Sequence, residues 1–267
     1  FTASDTPNTS LVTSMSNTFS FANTFDYDIS NWDMGNVSDF TRTFYRSTAF
    51  NKPLDGWDVS SAITMDSTFR DADTFNQPLN SWDVSSVNNM QNMFASANSF
   101  DQNIGAWRMD SIFRTNGMFS SGSPFNNGGS DSIKDWNVSS LVVMQGMFSF
   151  STAFNQPLTN WDTSNVTNMR EVFRMSVFDQ PLNTWDTSKA TTMFGMFTGA
   201  IFNQDATDTE IKKIEKALGH EVGLGTINLG NGFIGSGIIA NSNGFLAGKL
   251  TSGFEVVRVD ESLGFLD

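Results

Sequence analysis

The chain contains no cysteine. Disulfide staples, thiolate metal sites and cysteine nucleophiles are therefore excluded. Histidine is nearly absent: His220 stands alone with no motif around it, which leaves a His-dependent triad without support. No apolar run approaches the roughly 20 residues that cross a bilayer, so membrane insertion is not expected. Basic residues are scarce, 15 against 28 acidic, for a net charge of −13. Such a surface repels a phosphate backbone and anionic headgroups alike, so no nucleic-acid partner is expected. The glycine pairs in Gly223-Leu224-Gly225 and Gly248-Lys249-Leu250-Thr251 lack the flanks of dinucleotide and phosphate loops. No cleft signal selects two of the 28 carboxylates as an acid–base pair. An enzyme is not expected, nor any cofactor. The chain opens on Phe1 instead of Met, which fits a removed leader or a fragment.

What is present is bulk: 26 Phe, 13 Met and 7 Trp in 267 residues, enough for a large core despite the many Asn, Ser, Thr and Asp. The tryptophans stand at 32, 57, 82, 107, 136, 161 and 185, with steps of 25, 25, 25, 29, 25 and 24. A fixed period of this length marks stacked repeats. Five residues after each Trp comes an apolar residue (Val37, Ala62, Val87, Ile112, Leu141, Val166, Ala190). Twelve after comes Phe in every copy (Phe44, Phe69, Phe94, Phe119, Phe148, Phe173, Phe197). A second Phe follows, and an aliphatic residue sits three before the next Trp, as Leu54, Leu79 and Ile104 do. A copy without Trp precedes Trp32, with Val12, Met15, Phe19, Phe25 and Ile29 in the template positions; it reads as a terminal cap. The four extra residues of the fifth copy fall in Asn127-Gly128-Gly129-Ser130-Asp131, a surface loop by composition.

Within one copy, Trp82 and Val84 alternate with polar residues, which predicts a short strand over 81–85. Val87, Met90, Met93, Phe94 and Ala97 fall on one helical face, with Ser86 as a candidate N-cap, like Ser61, Ser140 and Asn165. Prolines such as Pro78 and Pro157 end the helix and return the chain. A strand, a helix and a return per copy predict an α/β fold with parallel strands stacked into one sheet. The period covers residues 1–206, with charge −10 (10 basic, 20 acidic). Residues 207–267 (5 basic, 8 acidic) read as a helix over 207–219 followed by Gly-rich strand-like runs at 226–229, 233–239, 245–250 and 254–259. That segment would cap, anchor or assemble the array.

The segments Phe75-Asn-Gln-Pro-Leu-Asn-Ser-Trp82-Asp-Val and Phe154-Asn-Gln-Pro-Leu-Thr-Asn-Trp161-Asp-Thr-Ser-Asn-Val-Thr-Asn-Met169 resemble the BspA-type leucine-rich repeat. This bacterial surface-protein repeat of about 26 residues is also called DUF285. The resemblance covers residues 8–205. It implies a leucine-rich-repeat-like, right-handed solenoid of about eight strand–helix repeats. It also implies an extracellular or cell-surface protein that adheres to other macromolecules. It implies no catalytic residues.

The polar strand face is the candidate binding face. The residue after each Trp is Asp33, Asp58, Asp83, Arg108, Asn137, Asp162 or Asp186, and two further on stand Gly35, Ser60, Ser85, Asp110, Ser139, Ser164 and Ser188. In register, the acids form a column about 4.8 Å apart. Three readings are open: each Asp bonds neighbouring Ser or backbone groups; the column binds a partner; or it orders Ca²⁺, which favours oxygen-rich acidic sites. The partner would be a surface protein or glycan, or copies of the chain itself. The alternative function is a structural subunit of an extracellular filament, surface layer or virion, assembled through the Gly-rich C-terminal strands. The Asn76-Gln77 and Asn155-Gln156 pairs either form an amide ladder or satisfy buried loop groups.

Overall fold

In the computed structural model, which describes residues 7–201 and three short strands between 233 and 247, the tryptophan repeat winds into a stack of coils. One residue per coil pairs in parallel with its counterpart in the next: Ser14, Asp39, Thr64, Asn89, Arg114, Val143, Asn168 and Thr192, eight coils among the described residues. These are single-residue bridges, and the described residues contain no α-helix and no parallel sheet. The expected strand–helix solenoid of leucine-rich-repeat type is therefore wrong.

The stretch expected to be helical shows why. In a helix every N–H bonds four residues back along its own segment. Here the donors alternate. Met93, Ala95 and Ala97 donate three residues back, to Met90, Asn92 and Phe94 at 3.1–3.2 Å. Met90, Asn92, Phe94 and Ser96 donate out of the coil, to Arg114, Asn116, Met118 and Ser120 at 2.7–3.0 Å. The segment is a chain of overlapping β-turns. Two of its residues, Asn92 (φ +53°) and Ser96 (φ +56°), are left-handed, as turns with a positive φ at their third position demand. The same two positions recur four residues apart in every coil, filled by Gly117, Gly146, Gly195 and Gly199 but also by Arg42, Arg46, Phe150, Glu171 and Met175. A left-handed non-glycine residue costs about 1–2 kcal/mol. The stack offsets this, because those N–H groups are the ones that bond the next coil: Arg42 to Asp66, Phe150 to Arg174, Glu171 to Phe194. At Gly117 (φ +59°) a Cβ would lie 2.5 Å from Asn92 Oδ1, so a larger residue there would have to displace the Asn92 side chain.

Two of the expected N-caps tie coils together instead. Ser61 Oγ donates to Gly35 O at 2.7 Å, and Asn165 Nδ2 to Ser139 O at 2.8 Å. The expected strand over 81–85 is unpaired: Trp82 to Val84 run between two turns, the second closed by Val87 N donating to Val84 O at 2.9 Å.

Three aromatic columns fill the core. The first-Phe column stacks from Phe19 to Phe197 with centroids 5.3–5.7 Å apart. The second-Phe column runs alongside, and the two touch within each coil, as Phe94 and Phe100 do at 4.0 Å. The Trp column is clamped by its own donors. The indole N–H of Trp57, Trp82, Trp107, Trp136, Trp161 and Trp185 donates to the carbonyl of Ile29, Leu54, Leu79, Ile104, Ile133 and Leu158 in the preceding coil, at 2.8–3.3 Å. Trp57, Trp82 and Trp161 are accordingly buried, and Met65, Met90, Met144 and Met169 are buried in the same core.

The insertion in the fifth copy forms two 3₁₀ turns, Asn127–Gly129 and Ser132–Asp135. It is a surface loop at Gly128 and Gly129 but not at Asn127, whose buried side chain accepts Ile104 N at 2.9 Å. In the C-terminal segment, β1 (Phe233–Gly235), β2 (Ile238–Asn241) and β3 (Gly244–Ala247) form an antiparallel sheet in the order β1-β2-β3. The run expected as one strand over 233–239 is thus two paired strands, with Ile234 opposite Ile239. The expected helix over 207–219 and the runs at 226–229 and 254–259 lie outside the described residues.

Candidate binding face

The column after Trp is where the sequence places it, but turns and not a strand hold it there. Asp33, Asp58, Asp83, Arg108, Asn137, Asp162 and Asp186 are all exposed. Each carboxylate or amide oxygen caps the backbone two residues on: Asp58 Oδ1 accepts Ser60 N at 3.0 Å, Asp83 Ser85 N at 3.0 Å, Asp162 Ser164 N at 3.0 Å and Asp186 Ser188 N at 2.8 Å. Asp33 does the same to Gly35 N, and Asn137 to Ser139 N. This short polar side chain bonding its own turn is what Asp and Asn favour in loops. Hydroxyl hydrogen bonds from Ser60, Ser85 and Ser164, followed by their amides, hold the carboxyls of Asp58, Asp83 and Asp162 below the ordinary range. Neighbouring coils oppose this in part: Asp83 pushes Asp58 up and Asp186 pushes Asp162 up, while Arg108 lowers Asp83.

Successive carboxylates are close. A methyl group at Gly35 would meet Asp33 Oδ1 and Asp58 Oδ2, each at 3.4 Å. In the coil that starts at Trp107 the pattern inverts. Arg108 Nε donates to Asp110 Oδ2 at 3.1 Å, and Asp110 Oδ1 accepts Asn137 Nδ2 at 2.7 Å. The acid is displaced by two residues and neutralised there. Among the described residues no three acidic or histidine groups come together to hold a metal ion.

On the return side both readings of the amides hold at once. Asn51 Oδ1 accepts Asn76 N and Gln77 Nε2, Asn76 Oδ1 accepts Asp101 N and Gln102 Nε2, and Asn126 Oδ1 accepts Asn155 N and Gln156 Nε2, all at 2.9–3.0 Å. It is an amide ladder, and its rungs satisfy backbone donors. These side chains are committed to structure.

A second face went unnoticed in the sequence. The turn segments, from the seventh to the fourteenth residue after each Trp, carry six arginines against four acids, a balance of +2. The rest of residues 7–201 carries four basic and 14 acidic residues, a balance of −10. All six turn-segment arginines lie over aromatic rings. Arg42, Arg46 and Arg70 surround Tyr45 at 5.3–5.9 Å, and Arg46 also covers Phe21 at 5.5 Å. Arg114 covers Phe113, Arg170 covers Phe194 and Arg174 covers Phe150, at 4.9–5.5 Å. Phe21, Phe113, Phe150 and Phe194 are 41–57% exposed, apolar groups left on the surface under cationic covers. Asp71 pairs with Arg46 at 3.3 Å and Arg70 at 3.8 Å.

The repeats match the family described as Mycoplasma protein of unknown function, DUF285, over residues 13–132 and 127–219. The chain belongs to the DUF285 family. The structure therefore shows how these DUF285 copies stack, by turns and indole clamps. A different likeness covers a smaller part of the chain. It is 47% identical over 62 residues to translation initiation factor 6 of Methanoculleus marisnigri, covering 23% of this chain and 28% of that protein. The factor of the same name from Thermococcus onnurineus is 43% identical over 63 residues, 24% of this chain and 28% of the relative. That from Methanosarcina acetivorans is 46% identical over 61 residues, with shares of 23% and 28%. The chain thus spans just over a quarter of the length of these curated relatives. No solved structure matches it.

Proposed function

We propose that this DUF285 chain is a non-enzymatic scaffold that binds another macromolecule through its acidic column, at a cell surface or outside the cell. The observation that carries the proposal is the column itself: one exposed polar group per coil, aimed by a hydrogen bond to its own turn. Groups fixed before binding lose little freedom when a partner arrives. The column's charge selects a cationic surface and speeds encounter with it. The finer kinship, with BspA-type surface proteins and their adhesion, rests on the recurring Phe-Asn-Gln-Pro-Leu…Trp-Asp segment and belongs to the same proposal.

The test substitutes Asp58→Asn, Asp83→Asn and Asp162→Asn together and measures oligolysine binding by calorimetry. Asn137 already caps its own turn in this way, so the amides keep the geometry and remove only charge. Each exposed pair is worth up to about 1 kcal/mol, so affinity falls roughly threefold to a hundredfold. Unchanged affinity contradicts the proposal.

A second reading is favoured by the likeness to translation initiation factor 6. The matched stretch is 62 residues long, close to the 61 residues of 207–267 that the Trp period does not reach. On this reading the C-terminal segment acts in translation initiation and the repeats are its appendage. Sedimentation of the full chain with ribosomal subunits tests it: co-migration that is lost on deleting 207–267 supports it, and migration with the free protein contradicts it.

A further inference from the structure

We infer that the cationic surface complementary to the acidic column is the arginine–aromatic face of a second copy of this chain. The inference rests on the column being a binding face, and it names the partner. The opposed charges are on one molecule: a +2 turn face, and a remainder of −10 that carries the column. Both rows advance one coil at a time on the same stack, so their spacing matches without adjustment. The two rows are not gapped alike in every coil, since Arg114 stands in the coil of Arg108, where the acids give out. The acids fall in three successive coils, at Asp33, Asp58 and Asp83, and again at Asp162 and Asp186, with Arg108 and Asn137 between. The arginines gather at Arg42, Arg46 and Arg70 and again at Arg170 and Arg174.

Stacking on Tyr45, Phe150 and Phe194 holds the guanidiniums in place, and a planar fork held this way is suited to carboxylates. The exposed rings beneath supply apolar area that charge pairing alone lacks. Arg108 and Arg114 share one coil, so two copies packed parallel and in register would set like charges together. The Trp107 coil is the fourth of the seven Trp coils, so antiparallel packing centred on it does the same, and staggered packing remains. Each contact uses one face of each copy and leaves one of each free, so the association is heterologous and open-ended.

The test is sedimentation velocity on the full chain across a concentration series. Wild type should grow in mass with concentration at low ionic strength and return to monomer at about 0.5 M salt, where charges are screened within a few Å. R42E/R46E should remain monomeric, and so should D58K/D83K. Mixing those two variants should give a discrete 1:1 dimer, because each retains the face the other lacks. Circular dichroism and melting confirm that both variants fold, and the mixed dimer cannot form if either does not.

The inference is overturned if wild type is monomeric throughout at low salt, if R42E/R46E associates like wild type, or if the mixture yields no dimer. Binding of dextran sulfate by the turn face without self-association also overturns it, and points to an anionic polymer instead. Monomeric wild type that still binds oligolysine through Asp58, Asp83 and Asp162 overturns only the choice of partner and leaves the binding face standing.

Discussion

Asp58 shows how a single residue carries structure and surface charge at once. One oxygen accepts the Ser60 amide and hydroxyl, at 3.0 and 2.7 Å, and the carboxylate stays exposed. Because its pKa, like those of Asp83 and Asp162, is lower in the fold, ionisation stabilises the folded chain. That stability is present above the unfolded carboxylate pKa of about 3.9 and is lost as pH falls through the lowered folded values. The melting temperature should be flat above about pH 5 and fall below about pH 4, less steeply in the Asp58→Asn, Asp83→Asn, Asp162→Asn variant. The difference is small, under about 1 kcal/mol, because the groups are solvent-screened. Identical slopes in a pH series of thermal melts would contradict this. The column was legible because polar residues recur beside each Trp. The arginine–aromatic pairs were not, because several join different coils: Arg46 meets Phe21 and Arg170 meets Phe194 across the stack, where local spacing gives no sign.

At the scale of one coil, the period and the buried positions were legible and the backbone was not. Met90, Met93, Phe94 and Ala97 fall inward in a 3.6-residue helix and equally in a chain of turns that bond three residues back. Periodicity alone does not separate the two. The separating signal was the pair of positions four apart that hold Gly117, Gly146, Gly195 and Gly199 in some copies, and Asn17 and Asn92 in others. Glycine and asparagine tolerate left-handed backbone, and glycine repeated inside a helix would weaken it. A coil of this kind is a unit. Deleting residues 82–106, one copy of 25 residues, brings Trp107 into the place of Trp82 and preserves every ladder. That variant should keep a cooperative melt at a modestly lower temperature. Deleting 82–93 breaks the register and should abolish the transition. Calorimetry distinguishes the outcomes, and equal melts for both deletions would mean that the coils are not the stacking unit.

At the scale of the molecule, the stack converts a repeated sequence into rows: aromatic inside, amide on the return, acid beside the Trp, arginine over aromatic on the turns. Rows of this kind follow from any fold that keeps one copy per layer, so the polar residues beside each Trp line up whether the repeat is built of turns or of strand and helix. The C-terminal segment follows none of these rules. There β1 and β2 pair antiparallel within the run 233–239, which Gly235-Ser236-Gly237 divides in the sequence, and β2 pairs with β3.

The central claim is that each coil is locked to the one before it through the Trp indole. Hydrogen exchange of the seven indole N–H groups, read by NMR on ¹⁵N-Trp-labelled chain, tests it most directly. Trp57, Trp82, Trp107, Trp136, Trp161 and Trp185 should exchange slowly, since each donates to a carbonyl of the preceding coil. If the six exchange as fast as a free indole, the coils are not stacked in this way, and the rows built on them do not exist.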